Sequence, residues 1–412
     1  MVRQARWRSP WHGRGGQLMA LIEEASPNGF AQQAPPGKVF LLYNTARWMY
    51  RFRLPLMRAL RDLGHEVVAV SPPDEYVGHL EAAGFGHVPI ELNRKGTNPL
   101  EDLVLAYRLN RLFRLHRPDV VLTFTVKPNV YGSLAARPLG IPVINTIPGL
   151  GSLFVQNSLL TSVARLLYRM ALQGSDAVVF QNGEDRDLFI RGGLVRPEVT
   201  HQVPGSGVDT TFFAPGAQER NGGPFVFLFA GRFLWAKGLA ELVEAVRILR
   251  AREVELELRL LGFFEPEGTA AVPPEQMAAW EAEGVVTHLG EAPEVAGHMR
   301  AADCIVLPSY YREGLPRTLL EAGSLEKPVI AADATGSRDL VRPGRNGLLC
   351  RPGDPGDLAE KMHAMIRLPE SERRRMGREG REIVCREYDE RIVVDRYLEL
   401  VDRALARRRH SV

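Results

Sequence analysis

Two pairs of charged residues sit where a chain could grip a phosphorylated ligand. Arg232 and Lys237 lie in Gly231-Arg232-Phe233-Leu234-Trp235-Ala236-Lys237-Gly238, and Glu313 and Glu321 lie in Tyr310-Tyr311-Arg312-Glu313-Gly314-Leu315-Pro316-Arg317-Thr318-Leu319-Leu320-Glu321-Ala322. Each stretch follows an apolar run that reads as a buried strand, residues 225–230 and 304–307, and each opens a helical pattern. A strand that feeds a loop and then a helix aims free amides and a positive dipole end at whatever binds there, which suits an anion. Two fixed cations straddling such a turn can hold a diphosphate. Gly314 lets the backbone approach a ligand without a Cβ, and Pro316 suits the first helical turn, where its missing N–H would have been unpaired anyway. On one continuous helix Glu313 and Glu321 would point roughly 80° apart, so they share a cleft only if Glu313 stands in the loop. Taken by themselves, a helix cap with a surface glutamate and a pair of helix-flanking cations have the same patterns.

The elements that must position these residues follow from the alternation of apolar runs and helical patterns. Strands are predicted at residues 39–43, 66–70, 87–91, 119–123, 143–146, 177–180 and 199–203, with helices near 51–63, 75–83, 103–115 and 159–172. A second series follows at 225–230, 255–261, 285–289, 304–307, 328–331 and 347–349. Continuous apolar strands joined by helices imply an α/β fold with parallel, doubly wound sheets covered on both faces. Ligands of such sheets lie beyond the carboxyl ends of the strands.

Between the two series lie Pro204-Gly205-Ser206-Gly207-Val208-Asp209 and a Gly/Asn/Pro-rich stretch reaching Pro224, the natural boundary. The expected division is 37–205, then 206–387, then a final helical segment and tail, 388–412, apolar at Ile392, Val393, Tyr397, Leu398, Leu400 and Val401. Residues 1–36 show little periodicity and lack the apolar core of a secretion signal, and they read as a disordered extension.

Ligand-facing edges are also expected in the first half. Asn44-Thr45-Ala46-Arg47 directly follows the first strand, and it is not a G-x-G-x-x-G loop, so no dinucleotide signature is present. Lys127-Pro128-Asn129-Val130-Tyr131-Gly132 and Ile144-Asn145-Thr146-Ile147-Pro148-Gly149-Leu150-Gly151 each end a predicted strand. There Gly149 and Gly151 can bring main-chain amides close to a ligand, and Lys127 is a point charge for a diphosphate. As bare residues these also fit a turn and a helix start.

With 412 residues the chain exceeds one ordinary core, and 45% hydrophobic and 25% charged residues are globular values. No apolar run approaches the roughly 20 residues of a membrane-spanning helix. Cys304, Cys350 and Cys385 are widely spaced without metal-ligand spacing, which suits a reducing cytosol. Net charge is +3 but uneven: 23 Lys/Arg against 16 Asp/Glu up to Val208, and 29 against 33 beyond. A basic amino-terminal half suits an anionic surface, whether membrane, lipid diphosphate or nucleic acid. Arg108, Arg111 and Arg114, and Arg165 and Arg169, lie on helical patterns combining basic and apolar faces, which fit a membrane surface or packing on the sheet equally well.

The stretch Glu313-Gly314-Leu315-Pro316-Arg317-Thr318-Leu319-Leu320-Glu321-Ala322 resembles the donor-binding signature of retaining glycosyltransferases of the GT4 family, in the branch that builds bacterial surface sugars on polyprenyl diphosphate lipids. Gly-Ser-Gly-Val-Asp at 205–209 and the two pieces at 127–132 and 144–151 are similar to that branch as well. The usual Cys-Gly after the donor helix is here Leu325-Glu326, and the histidine that many members carry near the second piece has no counterpart, so no base is assigned.

The resemblance implies the GT-B fold: two Rossmann-like domains facing a central cleft, with the last helix crossing back to the first domain. It implies a UDP-sugar donor, a hexose or N-acetylhexosamine, and a polyprenyl-diphosphate-linked saccharide as acceptor. No metal, no other cofactor and no nucleic acid are implied, and the place is the cytoplasmic, anionic face of the plasma membrane. Arg232, Lys237 and Glu313 would be catalytic. Gly231, Gly314, Leu315, Pro316 and Glu321 would bind the donor, with Glu321 on the ribose. Arg53, Lys127, Asn129, Gly149 and Gly151 would bind the acceptor. A UDP-sugar epimerase or hydrolase of the same architecture, or a non-catalytic membrane scaffold, is the alternative.

Overall fold

The computed structural model describes residues 35–410 apart from 94, 95, 97, 151–158, 217–221, 265–269 and 293. Gly151 and most of the expected amino-terminal extension therefore lie outside the described residues. Pro35 and Pro36, read as part of that extension, pack on the folded chain: Arg409 donates to the Pro35 carbonyl at 2.7 Å, and the Pro36 ring lies against Gly64.

Two parallel sheets form. The first has strand order β3-β2-β1-β4-β5-β6-β7, from β1 (Lys38–Leu42), β2 (Glu66–Ser71), β3 (Gly86–Pro89), β4 (Val120–Phe124), β5 (Val143–Ile147), β6 (Ala177–Phe180) and β7 (Thr200–Gln202). The second has order β10-β9-β8-β11-β12-β13, from β8 (Phe225–Arg232), β9 (Leu256–Phe263), β10 (Thr287–His288), β11 (Cys304–Leu307), β12 (Val329–Ala332) and β13 (Gly347–Cys350). The inner strands are buried along almost their whole length, which is why they read as unbroken apolar runs. In both sheets the order reverses beside the first strand, so a crevice opens between the carboxyl ends of β1 and β4 and between those of β8 and β11.

Helix α1 (Ala46–Asp62) begins five residues before its sequence-predicted start, because the Thr45 hydroxyl accepts from the Trp48 amide at 3.1 Å and caps it. Helices α2 (Pro99–His116) and α3 (Leu159–Leu172) cover the other face of the first sheet. Helix α4 (Gly183–Arg191) follows β6, and α5 (Leu239–Arg250) follows β8. Helix α6 (Arg317–Ser324) starts one residue later than the sequence suggests, with Pro316 as the flanking residue rather than the first helical one.

The sequence reading leaves 355–387 without elements, yet two helices, Pro355–Arg367 and Glu370–Glu387, occupy it. The second is dense in charge, and that charge is satisfied along its own surface, as in the Glu370–Arg374 and Arg375–Glu379 pairs at four-residue spacing.

The last helix, α7 (Glu390–His410), returns to the first sheet. Val393, Tyr397, Leu400, Val401, Ala404 and Leu405 join one core with Val39, Leu41, Met49, Met57 and Val120. The two passages between the halves run side by side: the Val208 amide donates to Tyr388 at 3.1 Å, and the Glu390 amide donates to Val208 at 3.0 Å.

Candidate active site between the two sheets

Lys237 and Glu313 come together. The turn Trp235–Lys237 ends at Gly238, whose φ of +78° is open to glycine and whose missing side chain leaves room for the Pro308 carbonyl. The Ala236 carbonyl then accepts from the Tyr310 and Tyr311 amides at 3.1 and 3.0 Å. These contacts dock the turn after β8 on the loop after β11, and the Lys237 ammonium forms an ion pair with Glu313 Oε1. Ser309 donates to the same oxygen at 3.0 Å. Lys237 is only 8% exposed, so its charge lies in a dry setting where it acts strongly on a neighbour.

Arg232 is the last residue of β8, half-buried and opposite Phe263 in the register. Gly231 precedes it, and there is no space for a Cβ on Gly262 because the Gly231 carbonyl occupies it. The start of α6 is tied to the same edge by Thr318, whose hydroxyl donates to the Ala230 carbonyl at 3.0 Å. Thus the end of β8, the Lys237 turn and the amino end of α6 converge on one crevice, as their positions along the chain predict. Thr318 itself escapes a sequence reading because a threonine in a first helical turn has many uses.

Glu313 stands in the loop and Glu321 in α6, the arrangement that lets both serve one cleft. Burial pushes the Glu321 carboxyl above the usual range, and Arg317, donating from Nε at 2.9 Å, opposes that shift. Arg317 also donates to the Arg51 carbonyl at 3.4 Å, and its guanidinium carbon lies 5.3 Å from the Phe52 ring centre. One arginine therefore joins the second domain's helix to α1 of the first. Leu315 packs near Gly205 of the linker, and Pro316 is buried.

The loop carrying Glu313 is held from the first domain. A Cβ on Gly314 would collide with the Pro148 carbonyl and the Gln181 side chain, and a Cβ on Gly149, φ +135°, would come within 2.5 Å of the Gly314 amide nitrogen. Asn182 donates to the Gly314 carbonyl at 3.2 Å, and Arg312 donates to Asp185 at 2.8 Å. Burial pushes the Asp185 carboxyl upward, against the pull of Arg312 and Asn182. Glu184 adds bonds from Thr335 at 2.7 Å and Arg338 at 3.0 Å. No local pattern announces these residues, because their partners are more than a hundred positions away. On α1, Arg47 pairs with Glu291 and stacks over Phe263 with its guanidinium carbon 4.7 Å from the ring centre.

The acceptor-side residues are less alike in their surroundings. Gly149 sits at the contact just described. Lys127 is paired with Asp102 at 2.6 Å, and Tyr131 donates to the same carboxylate at 2.8 Å. Asn129 is fully buried: its amide donates to the Thr146 carbonyl at 2.7 Å and its carbonyl accepts from Thr123 at 2.7 Å. Both residues hold the segment after β4 in place, and neither is presented to the cleft as an open ligand.

Arg53 is 2% exposed. Its guanidinium carbon lies 4.4 Å from the Phe124 ring centre and 5.7 Å from that of Tyr397. Stacking of that kind is worth about 2 kcal/mol when desolvated, less than the several kcal/mol that taking an ion out of water costs.

The chain is similar to known proteins over most of its length. Residues 50–206 match the model described as "Glycosyl transferase 4-like domain" and residues 212–383 the one described as "Glycosyl transferases group 1". Among similar proteins is an N,N'-diacetylbacillosaminyl-diphospho-undecaprenol alpha-1,3-N-acetylgalactosaminyltransferase of Campylobacter jejuni, 25% identical over 89% of this chain and 99% of its own length. Another is a UDP-Gal:alpha-D-GlcNAc-diphosphoundecaprenol alpha-1,3-galactosyltransferase of Escherichia coli, 25% identical over 65% of this chain and 71% of its own.

Among solved structures, Anabaena Alr3699/HepE in complex with UDP superposes with a TM-score of 0.72 at 20% identity, covering 88% of this chain and 99% of that one. A glycosyltransferase of Rickettsia africae reaches 0.74 at 18% identity, covering 90% and 99%. The two facing parallel sheets with a returning last helix are the GT-B fold, and the chain belongs to the GT4 family of glycosyltransferases.

Proposed function

We propose that the enzyme moves a hexose or N-acetylhexosamine from a UDP-sugar to a polyprenyl-diphosphate-linked saccharide, with retention at the anomeric carbon. The observation that carries this reading is the convergence of Lys237, Glu313 and the amino end of α6 at the carboxyl edge of β8 and β11. Breaking the anomeric C–O bond puts negative charge on the departing diphosphate. Arg232, Lys237 and the amides of α6 stabilise that charge without reorganising, which is where a preorganised site gains most. Because these cations are supplied by side chains, the reading requires no metal.

Glu313 hydrogen-bonds hydroxyls of the transferred sugar, and Gly231, Gly314, Leu315 and Pro316 shape the donor's bed. The departing diphosphate takes the acceptor's proton, so neither glutamate acts as a nucleophile. Glu321 binds the ribose hydroxyls. Glu321→Ala accordingly raises the donor KM about 10- to 100-fold with a smaller fall in kcat, as loss of a hydrogen bond to a charged group predicts. A KM equal to wild type would remove the ribose contact.

The acceptor approaches from the first domain, between the segments that carry Lys127 and Gly149. Among the described residues no helix is long and apolar enough to cross a membrane. Helix α2 nevertheless exposes Leu100, Leu103, Val104 and Tyr107 on one face, and α3 exposes Val163, Leu166 and Met170, each beside arginines. Contact with an anionic membrane would cover these side chains.

The reading is tested by incubating the protein with a panel of UDP-sugars and polyprenyl-diphosphate monosaccharides in anionic vesicles, with mass detection. Lengthening of the lipid-linked saccharide in the presence of a chelator is the expected result. Free or altered sugar released without acceptor, or activity that needs added divalent ion, would contradict it.

A further inference from the structure

The edge of the first sheet at its order reversal carries polar groups whose needs are not met among the described residues. Arg53 forms no ion pair or hydrogen bond among the described residues, and its Nε is buried without a partner. Asn44 Oδ1 and Thr125 Oγ1 are buried and without a partner among the described residues as well. These positions adjoin. Leu42 of β1 is opposite Thr123 of β4, and one residue further on Tyr43 stacks on Phe124 with ring centres 5.3 Å apart, so Asn44 and Thr125 are the residues that follow the ends of two paired strands. Phe124 is the ring over which the Arg53 guanidinium lies.

Thr125 has φ +71°, a conformation that a β-branched residue adopts only when its surroundings impose it. A desolvated cation over the last ring of β4, a hydroxyl, an amide oxygen and a strained backbone thus border the crevice where parallel sheets of this kind bind ligands. Lys127, two residues on, does not share the need, since Asp102 already neutralises it.

We propose that this edge, the carboxyl ends of β1 and β4, is a phosphate subsite in which Arg53 is the counter-ion, Thr125 donates, and Asn44 Oδ1 accepts from a neighbouring sugar hydroxyl. The ligand class is a sugar phosphate, and in the reaction proposed above, on which this inference rests, it is the phosphate of the lipid-linked acceptor. The same chemistry could come from the donor's diphosphate, so the test must separate the two. A binding role also predicts a stability cost: a buried cation kept for a ligand destabilises the empty protein, and an apolar side chain of similar length relieves it.

The experiment uses the full chain, wild type and Arg53→Met, with melting temperature and calorimetric titration as readouts and UDP and inorganic pyrophosphate as probes. Arg53→Met is expected to melt above wild type without ligand. With UDP saturating, pyrophosphate raises the melting temperature of wild type, and its Kd rises at least tenfold in Arg53→Met, while the shift given by UDP is the same in both. A variant that melts lower or does not fold makes Arg53 a packing pillar and overturns the proposal. So does pyrophosphate binding that is equal in both proteins, absent from wild type, or abolished by UDP. If UDP itself shifts neither protein, the UDP-donor reading falls and takes the subsite with it, whereas a UDP shift without Arg53-dependent pyrophosphate binding removes the subsite alone.

Discussion

Lys237→Ala lowers kcat by on the order of a thousandfold at saturating donor, the cost of removing a preorganised charge from a leaving group in a dry site. Two features make the effect large. Lys237 is only 8% exposed, so water poorly replaces its charge, and the turn that carries it is bonded to the 310–311 backbone through Ala236. Arg232 stands on a different element and cannot move into its place, so Arg232→Ala is a separate loss rather than a redundant one.

The Glu313 partner separates charge from packing. Lys237→Ala leaves behind a partly buried carboxylate that keeps its bond from Ser309 but loses its counter-ion, so the variant's melting temperature is measured beside its rate. A folded variant turning over at the wild-type rate would show that the diphosphate charge is carried elsewhere.

Gly314→Ala is expected to cost about a hundredfold in kcat, a loss typical of small misplacements at a reacting centre, with little change in the Kd of UDP. Gly314 has no positive φ, so alanine does not strain its own loop. What alanine meets is the first domain: the Pro148 carbonyl and the Gln181 amide oxygen fill the place of its Cβ. The substitution therefore leaves Arg232, Lys237 and Glu321, which hold the diphosphate and ribose, in place and forbids the contact between halves. Gly336→Ala would not isolate this effect, because Gly336 has φ +83° and also abuts the Gly314 carbonyl, so the loop itself would suffer. Steady-state kinetics with calorimetric titration of UDP decides the matter, and a Gly314→Ala enzyme within twofold of wild-type kcat would show that the halves need not meet there.

The parts of the molecule legible in the sequence are those whose physics is local. Strands buried on both faces leave unbroken apolar runs, so β6 and β11 are found at their true limits. The donor-side residues sit on two strand-to-helix segments, after β8 and after β11, and their register along the chain suffices to place them. Charge hides the helix Glu370–Glu387, since its stability comes from pairs along its own surface and from small buried faces at Met376, Gly377 and Gly380. The acceptor side is harder for a different reason. A lysine or an asparagine after a strand serves equally as ligand or as brace, and only the folded chain shows Lys127 beside Asp102 and Asn129 beside Thr123. Arg53 is the reverse case: the resemblance names it for the acceptor, and only the folded chain shows it buried under aromatic rings without an ion pair among the described residues.

The last helix has a consequence for the order in which the molecule can be made. Val393, Tyr397 and Leu405 complete a core whose other members lie near the start of the folded chain. A ribosome that has released the whole first sheet has still to synthesise the second domain before that face can be covered. During that interval the part of this core that the last helix covers, along α1, β4 and β5, waits uncovered, and translation speed and chaperone supply bear on yield through this helix more than through any residue of the cleft.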